Sequence, residues 1–311
     1  MSHRVTHTIR ALTGLAAAAG VLALSACGGG SDPLSEDSGS AAPSGTIVVG
    51  SQQYYSNEII AELYAQSLEN AGYKVDRQYQ IGQREVYMKQ VDAGKIDVMP
   101  EYTGNLLQYL DKSSTATDPD QVLSELKKAL PDGVSALNPA EATDQDSYTV
   151  TSATADKYQL KQIGDLSKLP SPVKVAGNSE LAKRPYGPDG LKSTYGVTAQ
   201  VQPVEDSGGP LTVKALTDGT VPVADLYTSD PAIAEKNLVT LEDPKHLILP
   251  QNVVPLVSSK VDEKAQDAID AVDAKLTTDE LVDLNRESTE KKASSATIAK
   301  EWLSDEGIVS K

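Results

Sequence analysis

Two stretches of this chain close on the same dipeptide: "MPEYTGN" at residues 99–105 and "ADLYTSD" at residues 224–230, so that Tyr102-Thr103 recurs 125 positions later as Tyr227-Thr228. The match extends without a gap. Laying residues 88–105 over 213–230 sets Lys89 on Lys214, Gly94 on Gly219 and Val98 on Val223. Each copy reads as a helix, a glycine that stops it, a buried strand, and Tyr-Thr at the strand's carboxyl end. In open parallel sheets that end is where ligands bind. Two repeats facing one another would therefore each offer a phenol ring to a shared cleft. The chemistry on offer is binding rather than bond making: there is no Gly-x-Ser-x-Gly elbow, P-loop or His-Glu-x-x-His, and the histidines are His3, His7 and His246, too few for a metal site. No cofactor is implied, and the chain does not read as an enzyme.

The elements that must carry these corners alternate. "TIVVGS" (46–51) is a short β-branched run, followed by a helix with Ser56 as its cap, Glu58 in the first turn, Ile59, Ile60, Leu63 and Leu68 on its apolar face, and Gly72 at its end. "KVDRQYQI" is a strand, "REVYMKQVDAG" a helix and "KIDVMPEY" a strand. The second half repeats this grammar with "PVKVAGN", "AQVQPV", "GPLTVKALTDG" and "TVPVADLY". Pro222 in the last of these belongs at a strand start or edge, because it cannot donate to a ladder. Strands alternating with helices mean β-α-β units and parallel sheets. From Asp262 onward the pattern is helical, with Thr278 and Glu280 opening the second of three helices.

The ends and the composition set limits. Arg4 and Arg10 precede a short apolar stretch closing on "LSAC", which reads as a secretion signal over residues 1–26. Residues 27–45, rich in Gly, Ser and Pro, form a tether with a reach of about 20 to 25 Å. Without the signal the chain loses two arginines and no acid, moving its formal charge from −16 to −18. That argues against nucleic acid, since nothing here offers a basic stripe to neutralise phosphates. Cys27 is the sole cysteine, so no internal disulfide staples the fold. Thirteen Tyr against no Phe means that some tyrosines fill core places.

"VVGSQQYYSNEIIAELYAQSLENAGYKV", "GKIDVMPEYTGN", "DSYTV", "GLKSTYGV", "DLYTSDPAI", "LVTLEDPKH" and "VVPLV" follow one another as in the substrate-binding proteins of glycine betaine and choline ABC importers, which this chain resembles over nearly all its mature length. "LSAC" likewise resembles a lipobox, implying lipid on Cys27. The resemblance implies an α/β, two-lobed periplasmic-binding-protein-like fold of type II, each lobe a mainly parallel sheet flanked by helices, joined by two crossing segments. Lobe I would comprise residues 46–148 and 254–311, and lobe II residues 149–253. It further implies a monomer held to the outer face of the cell membrane, capturing a small solute between its lobes and delivering it to a permease coupled to an ATPase.

In that family a quaternary ammonium head sits among tyrosines. Tyr102, Tyr148 and Tyr227 match three cage positions; the fourth falls at Gln251, which is not aromatic. Members that grip a betaine carboxylate use a lysine, an arginine and a threonine where this chain has Gln52, Arg184 and Asn105. Asp146, which opens "DSYTV", completes the candidate set. A trimethylammonium group donates no hydrogen bond and is selected by ring faces at about 0.5 to 2 kcal/mol each. Three rings supply about 1.5 to 6 kcal/mol of the roughly 8 that a micromolar site needs, and burial of methyls must supply the rest. The thinned carboxylate grip favours choline over betaine. The missing wall leaves room for a second reading, an aromatic, polyphenolic or uncharged polar solute stacked on the same rings.

Overall fold

A computed structural model describes residues 45–309; the signal segment, Cys27 and the tether up to residue 44 lie outside the described residues. In chain order the first sheet takes β1 (Thr46–Gly50), β2 (Lys74–Gln78), β3 (Val98–Tyr102) and β4 (Val134–Ala136), and the second takes β5 (Asp146–Thr151), β6 (Val173–Gly177), β7 (Ala199–Pro203), β8 (Val223–Tyr227) and β9 (Leu238–Thr240). The chain then returns to the first sheet with β10 (Val253–Ser258). The helices of the first pass are α1 (Tyr55–Asn70), α2 (Arg84–Asp92), α3 (Thr103–Leu110) and α4 (Pro119–Ala129). The second lobe carries α5 (Ser152–Tyr158), α6 (Pro188–Tyr195), α7 (Pro210–Thr217) and α8 (Ala232–Glu235), and α9 (Glu263–Asp273), α10 (Thr278–Thr289) and α11 (Ser295–Asp305) end the described chain.

The strand orders are β2-β1-β3-β10-β4 and β7-β6-β8-β5-β9. In the first sheet β1 is parallel to β2 and β3, while β10 is antiparallel to both β3 and β4. In the second, β6 is parallel to β7 and β8, and β5 is antiparallel to β8 and β9. Four strands of each sheet thus share one direction. The exception in each is the strand reached from the other lobe: β5 follows the crossing after β4, and β10 follows the crossing after β9. Two α/β lobes joined by two crossings are what the resemblance implied, each sheet here carrying one antiparallel strand, and the repeat proves to be topological, with β1, β2, β3 matched by β6, β7, β8. β5 begins at Asp146, so the second sheet takes in residues 146–148, which the resemblance assigned to lobe I.

Each sheet is covered on both faces. On one side of the first, Ile59, Ile60, Leu63 and Leu68 of α1 meet Ile269, Leu281, Ile298 and Leu303 of the last three helices; on the other, Tyr87, Met88, Leu106, Leu107 and Leu126 form a second cluster. β3 is buried at every residue, as a strand covered on two faces must be. Tyr64 and Tyr87 are fully buried, filling places where Phe is usual. Gly94 and Gly219 adopt φ of +65° and +73°, the left-handed turn after α2 and α7 that glycine makes without strain. Pro222 falls one residue before β8. Two caps differ from expectation: α1 starts at Tyr55 with no side-chain cap, Ser56 being drawn to Asp144 instead, and Thr277, not Thr278, caps α10 by accepting from Glu280 N–H.

The second residue of each Tyr-Thr corner has its own task. Thr103 N–H donates to Asn252 O at 3.0 Å and its Oγ1 accepts from Asn252 N–H at 3.2 Å. Thr228 N–H donates to Gln145 O at 2.9 Å and its Oγ1 accepts from Gln145 N–H at 2.9 Å. The same pair of bonds therefore fastens each lobe to a crossing segment. At the first corner the approach is so close that a Cβ on Gly104 would stand 2.5 Å from Pro250 O and 2.7 Å from Leu249 Cβ. Gly104→Ala should lower unfolding free energy by about 1 to 3 kcal/mol, the usual cost of overpacking, as read by urea denaturation.

Candidate functional site

β3 and β8 run toward the gap between the lobes, which puts Tyr102 and Tyr227 at its two walls. Tyr54, just before α1, packs its ring against Tyr227 across the gap at 5.3 Å between centroids and 56° between planes. Tyr186 from the second lobe adds a fourth ring to the lining. The lobes are in contact around a cavity of about 40 Å³. Two further contacts span them: Arg184 Nη1 donates to Glu85 Oε1 at 2.8 Å and Gln53 Nε2 to Ser207 Oγ at 3.3 Å. Because Glu85 is 51% exposed, its pair with Arg184 contributes no more than about 1 kcal/mol; the lobes are latched lightly.

Between the rings stand three buried carboxylates, Asp144, Asp146 and Asp225. Asp144 lies on the first crossing and is tied to both lobes. Its Oδ2 accepts from Ser56 Oγ and Tyr102 Oη, each at 3.4 Å, and its Oδ1 accepts from Ser229 Oγ at 2.5 Å. Burial pushes its carboxyl up to about 6, against the downward pull of the Ser229 bonds. Asp146 accepts from Asn105 Nδ2 at 2.8 Å and Gln251 Nε2 at 3.2 Å. The Asp225 carboxyl is pushed well above the usual carboxylate range, first by burial and then by Asp146 beside it. Neither arginine of the cleft pairs directly with these acids, although Arg184 draws the Asp225 carboxyl down somewhat. Arg84 is committed to Glu101 through Nε at 2.7 Å and Nη2 at 2.8 Å, and Arg184 to Glu85.

Seven of the eight ligand residues expected from sequence meet here: Tyr102, Tyr227, Gln52, Asn105, Arg184, Gln251 and Asp146 all line the cleft. Tyr148 is not among the lining residues. β5 runs away from the cleft, so Tyr148, two residues beyond Asp146, stands about 7 Å deeper, inside the second lobe's core with Val150, Leu160 and Val175. Its hydroxyl donates to Tyr186 O at 2.6 Å, and Tyr186 is the ring that reaches the gap. Sequence reasoning missed Tyr186, Asp144 and Asp225, and left Tyr54 unassigned. A signal existed for Asp225, a charge inside the apolar run "VADLY"; Tyr186, between turn residues in "RPYGPDG", carried none. Two amide atoms of the cleft lining are buried without a partner: Gln52 Nε2, a donor, and Gln251 Oε1, an acceptor. Among the described residues no cluster of His, Cys, Asp and Glu is arranged to hold a metal ion, and no helix is long and apolar enough to cross a membrane.

Two α/β lobes, crossed twice and meeting over a tyrosine-lined gap, define a solute-binding protein of the kind that serves importers. The chain belongs to the family described as the substrate binding domain of the ABC-type glycine betaine transport system, whose model matches residues 45–305. It is a substrate-binding protein for transport, not an enzyme, and such proteins take up small solutes and interact with a permease. Among its relatives, the glycine betaine-binding protein YehZ of Escherichia coli K12 is 28% identical over 211 residues, covering 64% of this chain and 69% of that protein. The carnitine transport binding protein OpuCC of Listeria monocytogenes is 24% identical over 274 residues, covering 83% and 86%. In fold it is similar to a solved glycine betaine/carnitine/choline ABC transporter protein, with a TM-score of 0.70 at 21% identity over 84% of this chain and 99% of that one. A choline binding protein in complex with choline gives 0.60 at 13% identity over 85% and 89%.

Proposed function

We propose that this chain captures a cationic quaternary ammonium solute, choline in preference to glycine betaine, and passes it to its permease. The observation that carries this reading is the charge of the cleft. Asp144, Asp146 and Asp225 are buried among Tyr54, Tyr102, Tyr186 and Tyr227, while Arg84 and Arg184 are engaged by glutamates. Ring faces attract a trimethylammonium head, and Asp144, ionised above about pH 6, supplies counter-charge, while Asp225 is kept protonated by burial and by Asp146 beside it. A betaine carboxylate would meet like charges instead. The polar end of choline is a hydroxyl, which accepts one hydrogen bond and donates another; the unpartnered Gln52 donor and Gln251 acceptor suit that pair of roles. A polyphenol would gain the rings but leave the ionised Asp144 without a cation.

A solute is admitted only when the lobes part, and it favours the closed form by binding that form more tightly. Lipid on Cys27 and the tether would keep the domain at the outer face of the membrane, within reach of the permease; globomycin sensitivity of processing tests this. Calorimetric titration tests the ligand: choline should bind at least tenfold more tightly than betaine. No heat from choline, betaine or carnitine up to millimolar concentration would retire the reading.

The site also predicts a pH dependence. A cation is held by ionised Asp144, whose carboxyl takes up a proton near pH 6. Lowering pH from 7.5 to 5 therefore removes counter-charge, and choline affinity should fall by up to about tenfold over that window. Asp144→Asn should flatten the profile.

A further inference from the structure

Asn285, on α10 of the first lobe, is 1% exposed and lies outside the lining of the cleft. A place this deep in a helix interface is ordinarily apolar, as Leu281 and Leu284 on the same helix are. The Asn285 amide instead serves one residue of the other lobe. Its Nδ2 donates to Ser229 Oγ at 2.8 Å and to Ser229 O at 3.2 Å, while its Oδ1 is buried with no partner. An unpaired buried acceptor is costly, so the position is kept for its nitrogen.

The direction of the Ser229 proton follows from this. A carbonyl oxygen can only accept, so Ser229 O fixes the nitrogen of the Asn285 amide, not its oxygen, toward Ser229. The Ser229 hydroxyl therefore accepts from Asn285, and its single proton goes to Asp144 Oδ1, 2.5 Å away. Around Asp144 the titratable groups are the phenols Tyr54, Tyr55, Tyr102 and Tyr227 and the acids Asp146 and Asp230, none of which is positive in either of its states. Burial pushes the Asp144 carboxyl up, and the Ser229 hydroxyl is the strongest influence drawing it down, ahead of the Ser229 N–H.

We propose that Asn285 is a positioning residue for the solute's counter-charge: by donating to Ser229 it aims that hydroxyl's proton at the Asp144 carboxylate. The three groups come from α10 of the first lobe, from the turn after β8 of the second, and from the crossing between the lobes. A helix outside the cleft thus tunes how strongly the cleft holds a cation. The inference deepens the cation-capture reading and rests on it for the effect on affinity, but not for the effect on Asp144 itself.

The test begins with the folded protein free of solute, its Asp144 carboxyl followed by carbon-13 NMR against pH and assigned by the signal lost in Asp144→Asn. Ser229→Ala should raise the midpoint by about one pH unit, and Asn285→Ala by about half a unit to one unit. The double variant should match Ser229→Ala alone, since Asn285 acts through that hydroxyl. Arg286→Ala, which frees the next residue of α10 from Glu235 of the second lobe, should leave the midpoint in place. In calorimetry the choline affinity of Asn285→Ala should fall by about 1.5- to 3-fold at pH 6.5 and stay level at pH 8.5, where Asp144 is ionised in both proteins. Should choline not bind at all, the solute reading falls while the NMR titration still decides the relay. Asn285→Leu, which refills the volume without the donor, takes the place of Asn285→Ala if the latter does not fold. An unmoved midpoint in either single variant, a double variant shifted by the sum of the two, an equal shift in Arg286→Ala, or an affinity loss equal at both pH values would each overturn the proposal.

Discussion

Tyr227→Ala should weaken choline binding by roughly 2- to 30-fold, the factor that about 0.5 to 2 kcal/mol per ring contact corresponds to, with little effect on folding. Tyr227 ends β8 and is only partly buried, so its ring serves the gap and its contact with Tyr54 more than the lobe's interior. Tyr227→Phe keeps the ring face and should bind within about threefold of the parent. Tyr102→Ala should behave differently. That ring is 2% exposed, belongs to the first lobe's core cluster, and donates its hydroxyl to Asp144. Its removal should cost about 3 to 5 kcal/mol of stability besides affinity. Calorimetry together with denaturant unfolding on the three variants separates these effects, and equal binding by both alanine variants and the parent would leave the repeated corner as architecture alone.

Arg84→Met should destabilise the fold about as much as Tyr102→Ala, by a different route. The Arg84 guanidinium is 5% exposed and meets Glu101, whose side chain is fully buried, in a two-pronged pair. Glu101 also accepts from Tyr87 Oη at 2.5 Å and from Tyr102 N–H at 2.9 Å. Removing the cation strands a buried carboxylate, at about 3 to 5 kcal/mol, and loosens the residue that carries a cage ring. Urea unfolding should show the loss. Arg84→Met combined with Glu101→Leu should recover much of it, since no unpaired charge then remains; a double variant as unstable as the single would point to lost packing instead.

What could be read from the sequence was what short-range physics decides. The helix–glycine–strand–Tyr-Thr unit is legible because strand alternation, a left-handed glycine and an apolar run act within a few residues, and so its second occurrence is visible at residues 213–230. Gln52, Asn105, Arg184 and Gln251 came from motif resemblance, and all four line the cleft. Tyr148 shows the limit. Its motif marked it as a ligand residue, yet whether a strand residue faces a cleft or the core beneath depends on which way the strand runs, and β5 runs away from the gap because the chain reaches it from the other lobe.

The amino-acid sequence by itself determined the two repeats and the rings at their ends, since these reside in local pattern and residue type. Only the tertiary structure decided the sign of the cleft. Three acids drawn from a crossing segment, β5 and β8 converge there, while Arg84 is paired with Glu101 on β3 and Arg184 with Glu85 across the lobes. Electrostatic balance depends on distance and burial between residues far apart in the chain, and no local pattern encodes it.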